Sequence, residues 1–364
     1  MTIWALALAL QAATVPTKAP SPPPPAAAAT RWPTQEADYI VHDFRFADGE
    51  TMASVRLHYT TLGKPHRNAK GEIDNAVMVL HGTGGSGHQF LAPQFADELY
   101  GPGQPLDIRK YWIILPDNIG HGGSSKPSDG LRMRFPRYGY TDMIHLQHKL
   151  LTDGLGIAHA RLIMGTSMGC MHSFMWGEMY PDYARALMPL ACEPIQIAGL
   201  NRMWRQMVID GIEADPAWDN GNYKAEPREG LRLAESILVI AGAAPLNFQK
   251  LYPTRDAAIA YVRQRIASAL PRLDANDTIY QFDSSRDYNP WNGLEKIKTP
   301  MTWINSADDF INPRNFPYPP EAMKRVPSLR FRLIPESAET HGHGTHTWAK
   351  FWKQDLVDLL KRSE

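Results

Sequence analysis

The hydrophobic positions of residues 32–192 predict strands that alternate with helices. Residues 39–46 and 54–61 alternate apolar and polar side chains, as two antiparallel strands do. Short continuous apolar runs, typical of strands buried on both faces of a parallel sheet, follow at 76–80, 111–115, 161–165 and 186–191. Helical spacing is found at 89–99, at 141–155 with Thr141 as N-cap, and after Gly165, where Met168, Met171, Met175 and Met179 recur.

This alternation stops at about Cys192, and strand patterns return only near the C-terminus. Residues 201–270 have a helical pattern rich in aromatic side chains, strands are predicted at 301–305 and 329–334, and a last helix at about 345–360. The fold class is therefore α/β: a mostly parallel, doubly wound sheet with a helical cap inserted between its later strands. We assign residues 32–192 and 298–364 to the core and residues 193–297 to the cap.

The N-terminal residues differ from the rest of the chain in composition. Residues 1–14 are a short apolar run followed by small residues, which we interpret as a secretory signal peptide, although a positively charged start is missing. Residues 15–31 are rich in proline and alanine and read as an extended linker. We expect export, to the periplasm, and no stable membrane insertion after signal removal; the alternative is a cytoplasmic protein with a disordered Ala-rich end.

Composition excludes several classes of partner. Lysine plus arginine and aspartate plus glutamate both number 38, so no basic surplus favours nucleic acid or an anionic membrane surface. The two cysteines, Cys170 and Cys192, are too few for a disulfide framework, and their spacing resembles no metal site. We expect Cys170 to be a small core residue, and neither a metal nor a bound cofactor.

The segment Gly165–Gly169 has the pattern G-x-S-x-G at a predicted strand-to-helix junction. In that context the pattern indicates a nucleophile elbow, which presents the hydroxyl of Ser167 at the helix N-terminus. Both glycines are expected to be necessary, because side chains there would collide with the neighbouring strand and helix. Serine is a poor nucleophile at neutral pH and needs an imidazole to accept its proton and a carboxylate to orient the imidazole.

Histidines and acids follow the later strands, in the chain order Ser, Asp, His that α/β hydrolases use. We favour His343, between two glycines, as the base over His341 and His346. As the acid we favour Asp309; its neighbour Asp308 is expected to hydrogen-bond the loop, and Asp117 to cap another loop. The oxyanion donors would be the backbone N–H groups of Met168 and of Thr83, which lies in the glycine-rich loop after the first buried strand.

Several segments together resemble the homoserine O-acetyltransferase branch of the α/β-hydrolase superfamily. They are residues 80–85, 116–122, 165–171, 201–209 and 215–223. The resemblance implies a triad of Ser167, Asp309 and His343, an acetyl-CoA donor, and a position near the substrate for Arg205 in the first cap helix. The chain departs from the family in the oxyanion loop, which begins His81-Gly-Thr, and in Gly342-His-Gly-Thr, where the family has glycine-histidine-aspartate. Both departures are closer to hydrolytic members.

We therefore expect a serine hydrolase that cleaves an ester or similar small-molecule acyl compound through an acyl-enzyme on Ser167. The alternative is an O-acyltransferase of the homoserine type, since water or an alcohol can resolve the same acyl-enzyme. A third hypothesis is a binding protein on the same fold without catalytic activity. The aromatic-rich cap predicts a partly apolar pocket between cap and sheet. The oligomeric state stays open, with a homodimer among the alternatives.

Overall fold

In the computed structural model, residues 32–364 are described, and the predicted signal peptide and linker lie outside them. Eight strands form one sheet in the order β1-β2-β4-β3-β5-β6-β7-β8. The strands are β1 Thr34–Arg45, β2 Thr51–Leu62, β3 Ala76–Leu80, β4 Trp112–Pro116, β5 Leu162–Thr166, β6 Leu187–Leu190, β7 Met301–Ser306 and β8 Leu329–Ile334.

The pairing of the strands follows their hydrophobic patterns. The two alternating strands, β1 and β2, pair antiparallel, and β2 pairs antiparallel with β4. From β4 through β3, β5, β6 and β7 to β8 all pairs are parallel. Every residue of β3, β5 and β6 is buried, as the continuous apolar runs require. The predicted mostly parallel sheet is confirmed.

Within residues 32–364, ten α-helices surround the sheet or lie between its strands. They are α1 Pro93–Leu99, α2 Tyr140–Lys149, α3 Met168–Met179, α4 Gly199–Glu213, α5 Arg228–Ala241, α6 Pro245–Leu251, α7 Arg255–Ala269, α8 Ala275–Asp283, α9 Tyr318–Arg325 and α10 Lys353–Arg362. Side chains of α1 and α10 share one hydrophobic cluster with β3, β4 and β5. Side chains of α2, α3 and α9 form a cluster with the opposite face of these strands. The sheet is therefore covered on both faces, as predicted.

Helices α4–α8 occupy the sequence between β6 and β7. They have a small hydrophobic cluster of their own, in which Val208, Ile212, Leu231 and Ile279 are buried. Helix α8 also contacts the core, since the Asp277 carboxylate accepts hydrogen bonds from the Ser128 backbone N–H at 2.8 Å and hydroxyl at 2.7 Å. Gln281 of α8 donates to the carbonyl of Gly120, in the loop after β4, at 2.9 Å, so this group of helices lies at the carboxyl ends of the strands.

Four details of the predicted helices were wrong. The helix expected from residue 89 is divided into a 3-10 turn, Gly87–Leu91, and α1, because Pro93 cannot continue a preceding turn. The N-cap of α2 is Gly139 rather than Thr141. Helix α3 is buried on all sides over residues 168–177, not on one methionine face. The last helix begins at Lys353, after two 3-10 turns.

Cys170 is buried, as expected of a small core residue, but its pairing with Cys192 was not predicted from the sequence. Cys170, in α3, and Cys192, just after β6, form a disulfide with a Cα–Cα distance of 5.8 Å. The sequence separation of 22 residues does not reveal this contact. It arises because β6 pairs with β5, from which α3 begins, so that the Ser167 N–H donates to the Leu190 carbonyl at 2.8 Å.

Within residues 32–364, no single helix has the length and apolar composition needed to cross a membrane. Helices α5 and α6 satisfy that test only as a pair, bent by 104°.

Candidate active site

Ser167 lies on a sharp turn between β5 and α3. Its φ is +55°, a value that non-glycine residues rarely adopt. A Cβ on Gly165 would lie 2.3 Å from the Gly169 carbonyl oxygen, and a Cβ on Gly169 would lie 2.0 Å from the Leu80 carbonyl oxygen. The two glycines are thus necessary for the expected reason, since strand β3 and helix α3 pass too close for any side chain.

The structure brings Ser167, His343 and Asp309 into one hydrogen-bonded line. The His343 Nδ1–H donates to Asp309 Oδ2 at 2.8 Å. Because the carboxylate can only accept, neutral His343 is left with Nε2 as an acceptor, which lies 2.8 Å from the Ser167 hydroxyl oxygen. This is the arrangement in which imidazole can remove the proton of the hydroxyl.

Asp309 is held by the loop that follows β7. Its carboxylate also accepts the backbone N–H groups of Ile311, at 2.8 Å, and Asn312, at 3.2 Å, and the Asn312 side-chain amide at 2.9 Å. Burial by itself would raise the pKa of Asp309, but the charge and hydrogen bond of His343 and the other donors outweigh it and lower the pKa. The carboxylate therefore stays ionised beside the imidazole.

The neighbouring Asp308 points elsewhere. Its carboxylate accepts the Thr340 hydroxyl at 2.7 Å, the Gly342 backbone N–H at 3.0 Å and the Ser306 hydroxyl. These contacts fix the loop that carries His343. Of the competing histidines, His341 stacks on Trp348 with ring centroids 4.1 Å apart. The ring of His346 packs against that of His343 with centroids 5.0 Å apart, and desolvation lowers the pKa of His346 to about 3.

The loop that follows β3, which carries the predicted oxyanion donor Thr83, lies beside Ser167. A Cβ on Gly82 would lie 3.3 Å from the Ser167 Cβ and 3.8 Å from its hydroxyl oxygen, so the backbone of Gly82, next to Thr83 in the chain, approaches Ser167 closely. Met168, whose N–H is the other predicted donor, is the first residue of α3 and is buried. Asp117 caps loops, as expected: its carboxylate accepts the backbone N–H groups of Gly87, in the segment after β3, and of Gly123, in the loop after β4.

Sequence reasoning missed the side chain that anchors this loop, His81. Its buried Nδ1–H donates to the Gly82 carbonyl at 2.9 Å, and its Nε2 accepts the Asn118 backbone N–H at 3.1 Å. Burial lowers the pKa of His81 and keeps the ring neutral. The side-chain amide of Gln147 donates to Asn118 Oδ1 and to His172 Nδ1 of α3. A polar network thus links the oxyanion loop to the nucleophile helix.

Arg205, predicted near the substrate, is buried in α4. Its guanidinium donates to the Asn201 side chain at 3.0 Å and to the Phe282 carbonyl at 3.4 Å. No carboxylate among residues 32–364 forms an ion pair with it. The buried hydroxyls of Tyr140 and Thr83 lie near each other and near Arg205, but within residues 32–364 neither makes a hydrogen bond of good geometry. Burial raises the pKa of Tyr140, and the nearby positive charge of Arg205 opposes that rise.

A second residue that sequence reasoning missed is Glu193, immediately after Cys192. Its carboxyl is buried; Oε1 accepts the Asn305 side-chain N–H at 2.8 Å, and Oε2 has no partner. Burial raises the pKa of Glu193 to about 8, and the negative charge of Asp309 acts in the same direction. A lone glutamate at the start of a predicted cap carries no motif that distinguishes it from a surface residue.

No group of three or more histidine, cysteine, aspartate or glutamate side chains in residues 32–364 is placed to hold a metal ion.

Comparison with known proteins assigns this chain to a family. The model of the α/β hydrolase fold family matches residues 75–339. A homoserine O-acetyltransferase from Moorella thermoacetica is 36% identical over 323 residues, which cover 76% of this chain and 82% of the relative. Another, from Deferribacter desulfuricans, is 29% identical over 312 residues, covering 74% of this chain and 80% of the relative.

Solved structures show the same fold. The homoserine O-acetyltransferase from Bacillus anthracis superposes with a TM-score of 0.78 at 20% identity, covering 90% of this chain and 98% of that one. An acetylester hydrolase from Corynebacterium glutamicum gives 0.77 at 19% identity, covering 90% and 96%. The homologues are thus acyltransferases and esterases on one fold. The chain belongs to the α/β hydrolase family, in its homoserine O-acetyltransferase-like branch, and is an enzyme of that hydrolase or acyltransferase class.

Proposed function

We propose that the protein is a serine hydrolase that cleaves esters of small acyl groups through an acyl-enzyme on Ser167. The observation that carries the proposal is the hydrogen-bonded line from Ser167 through His343 to Asp309, with both distances at 2.8 Å. The strained φ of Ser167 supports it, because backbone strain of this kind is characteristic of nucleophile elbows.

In the first half of the reaction, Ser167 Oγ bonds to the ester carbonyl carbon while its proton passes to His343 Nε2. Asp309 stabilises the imidazolium through Nδ1–H, and the N–H groups of Met168 and Thr83 stabilise the oxyanion. Collapse of the tetrahedral intermediate breaks the ester bond, and the imidazolium gives its proton to the leaving alkoxide. In the second half, water gives a proton to His343 Nε2 and its oxygen bonds to the acyl carbon. Collapse of this tetrahedral intermediate breaks the bond to Ser167 Oγ, which takes the proton back from His343, and the carboxylic acid is released.

Water is the preferred acceptor because the chain departs from the acyltransferase pattern next to its base. Gly344 follows His343 where the transferase pattern has aspartate, and the oxyanion loop begins with His81-Gly82. The test is hydrolysis of 4-nitrophenyl acetate together with intact-mass analysis. We expect an acetyl adduct on the wild type and none on Ser167→Ala. An adduct on both proteins, or full activity of Ser167→Ala, would contradict the proposal.

Arg205 favours a second candidate, an O-acyltransferase of the homoserine type. A buried guanidinium without a carboxylate partner among the described residues suits a substrate that brings its own carboxylate. The hydroxyl of Tyr140 would assist it. The assay is acetyl-CoA consumption with and without homoserine. Consumption that requires homoserine and is lost in Arg205→Gln, with folding retained, would support this candidate; hydrolysis of 4-nitrophenyl acetate without such transfer would support the hydrolase.

We also propose that the protein is exported. The Cys170–Cys192 disulfide supports this, because such bonds persist in oxidising compartments and are rare in the cytosol. The test is N-terminal sequencing of the protein from the native cell envelope. A mature chain that begins near residue 15 would support export, and an intact Met1 in the cytosolic fraction would contradict it.

Finally, we propose a homodimer formed through the cap. Of the twelve large hydrophobic side chains that are exposed in the described chain, seven lie on α4, α5 and α6: Leu200, Met203, Met207, Leu233, Ile240, Leu246 and Leu251. Apolar surface concentrated in this way is typical of a protein interface. Light scattering should give twice the mass of one chain for the wild type and a monomer for Met207→Glu. A monomeric wild type at micromolar concentration would refute the dimer.

A further inference from the structure

Beside the active site lies a cavity of about 420 Å³, which we call the Glu193 cavity. Its walls include Met171, Glu193, Ile195, Leu200, Phe310 and Asn312. They come from α3, the segment between β6 and α4, the first turn of α4, and the loop after β7. Most of the lining is apolar, and its volume falls in the range of small-molecule binding sites.

Two walls of the Glu193 cavity are directly connected to the reacting groups. The Met171 backbone N–H donates to the Ser167 carbonyl at 3.1 Å, so Met171 lies one helical turn from the nucleophile. The Asn312 side chain donates to Asp309 Oδ2 at 2.9 Å, the same oxygen that accepts from His343. The cavity therefore lies one helical turn from Ser167 and against the residue that holds Asp309.

The only acidic wall residue is unusual for a structural role. Glu193 is 8% exposed, its Oε1 is used by Asn305, and its Oε2 has no hydrogen-bond partner in the described chain. A buried carboxyl oxygen without a partner is costly, and such groups occur where a ligand completes the hydrogen bond. With its pKa raised to about 8, Glu193 is protonated at neutral pH and can donate that bond.

From these observations we propose that the Glu193 cavity binds the apolar acyl or alkoxy portion of the ester substrate, and that the Glu193 carboxyl hydrogen-bonds an oxygen atom carried by that portion. This rests on the proposed ester hydrolysis and adds the substrate class: esters with one medium-length apolar arm that contains an ether or carbonyl oxygen. The mouth of the cavity agrees, since Leu200 and Phe310 expose apolar surface beside it.

The experiment measures kcat/KM along two ester series. One series lengthens the acyl chain of 4-nitrophenyl esters from acetate to octanoate; the other lengthens the alcohol of alkyl acetates from methyl to octyl. Ile195→Trp, which fills the cavity, should lower kcat/KM for the longest esters of one series by about tenfold or more and leave the shortest unchanged. Ile195→Ala should shift the preference toward longer chains. Ile40→Trp, on the exposed edge strand β1 at the far end of the sheet, is the matched control.

The role of Glu193 is tested with two octanoate-length esters that differ by one ether oxygen in the chain. The wild type and Glu193→Gln should prefer the ether-containing ester, and Glu193→Leu should lose that preference by about tenfold, seen in KM rather than kcat. An unchanged preference in Glu193→Leu would overturn the hydrogen bond. Chain-length profiles of Ile195→Trp that match the wild type in both series would overturn the cavity assignment.

A binding measurement separates failure of this proposal from failure of the proposed function. Calorimetry of Ser167→Ala with octyl acetate and with octanoate reports occupancy without turnover. Binding that is lost in the Ser167→Ala, Ile195→Trp double variant supports the cavity even if the wild type hydrolyses no ester. The opposite outcome is that the wild type hydrolyses esters while Ile195→Trp leaves the affinity for both compounds unchanged. In that case the hydrolase proposal stands and the cavity assignment fails.

Discussion

The disulfide between Cys170 and Cys192 should contribute measurably to stability, and its contribution can be calculated from the chain. The bond closes a segment with a sequence separation of 22 residues, which runs from the first turn of α3 through β6. In the chain-entropy model a cross-link over such a loop destabilises the unfolded state by about 3 kcal/mol. Reduction leaves both side chains in place, so no cavity adds to this value. The unfolding equilibrium constant should rise by about two orders of magnitude.

The assay is equilibrium urea unfolding of the wild type, before and after reduction in denaturant and refolding in reductant. Cys170→Ala, Cys192→Ala is the control, and reductant should leave its midpoint unchanged. Thiol titration of the denatured wild type should find no free thiol before reduction and two afterwards. Two titratable thiols in the unreduced protein, or an equal effect of reductant on the control, would refute the reasoning and would also remove the main support for export.

Three other predictions test the site. Asp309→Asn should lower kcat for ester hydrolysis by about 10⁴-fold. Asp308→Asn should have a much smaller effect, since its carboxylate only fixes the loop. A loss in Asp308→Asn that equals or exceeds the loss in Asp309→Asn would contradict the assignment of Asp309 as the triad acid. Gly169→Ala should lose several kcal/mol of stability or fail to fold, because its Cβ would lie 2.0 Å from the Leu80 carbonyl oxygen; normal thermal stability would contradict the packing. The folded pKa of Glu193, about 8, lies above its unfolded value of 4.5, so between these pH values the native state holds one more proton than the unfolded state. The free energy of unfolding therefore falls as pH rises through this range, by at most about 1.4 kcal/mol per pH unit. Urea unfolding at pH 5 and pH 8 should show this loss in the wild type, and Glu193→Gln should lack it.

The fold was predictable because its signals are local and repeated. Period-two alternation marked β1 and β2, and continuous apolar runs marked β3 to β6. The carboxyl ends of parallel strands meet at one edge, so Ser167, Asp309 and His343 could be expected together although 176 residues separate Ser167 from His343. The glycines around Ser167 and His343 were further local signals.

Contacts between segments that carry no motif were not predictable. The disulfide depends on which strand lies beside β5, and no spacing rule gives that order. Glu193 looks like any polar residue at the start of a cap, and only the packing of Asp309 and Asn305 around it shows that its carboxyl is buried. The division of the predicted helix at Pro93 and the start of α2 at Gly139 depend on capping, where sequence patterns are least informative.

The geometry divides the work of the site between a rigid part and a variable part. Ser167 keeps a strained φ, which costs about 1–3 kcal/mol, because several contacts over-determine it. The Ser167 N–H donates to the Leu190 carbonyl of β6. Helix α3 and strand β3 approach each other so closely at Gly169 that only glycine fits. The disulfide joins α3 to the residue that follows the end of β6. The residues that would select a substrate come instead from the segments after β6 and β7. In these segments Cys192, Asp309 and Asn312 are fixed by their contacts with α3, with His343 and with each other, whereas side chains that only line the cavity, such as Ile195 and Phe310, can change without altering the turn at Ser167.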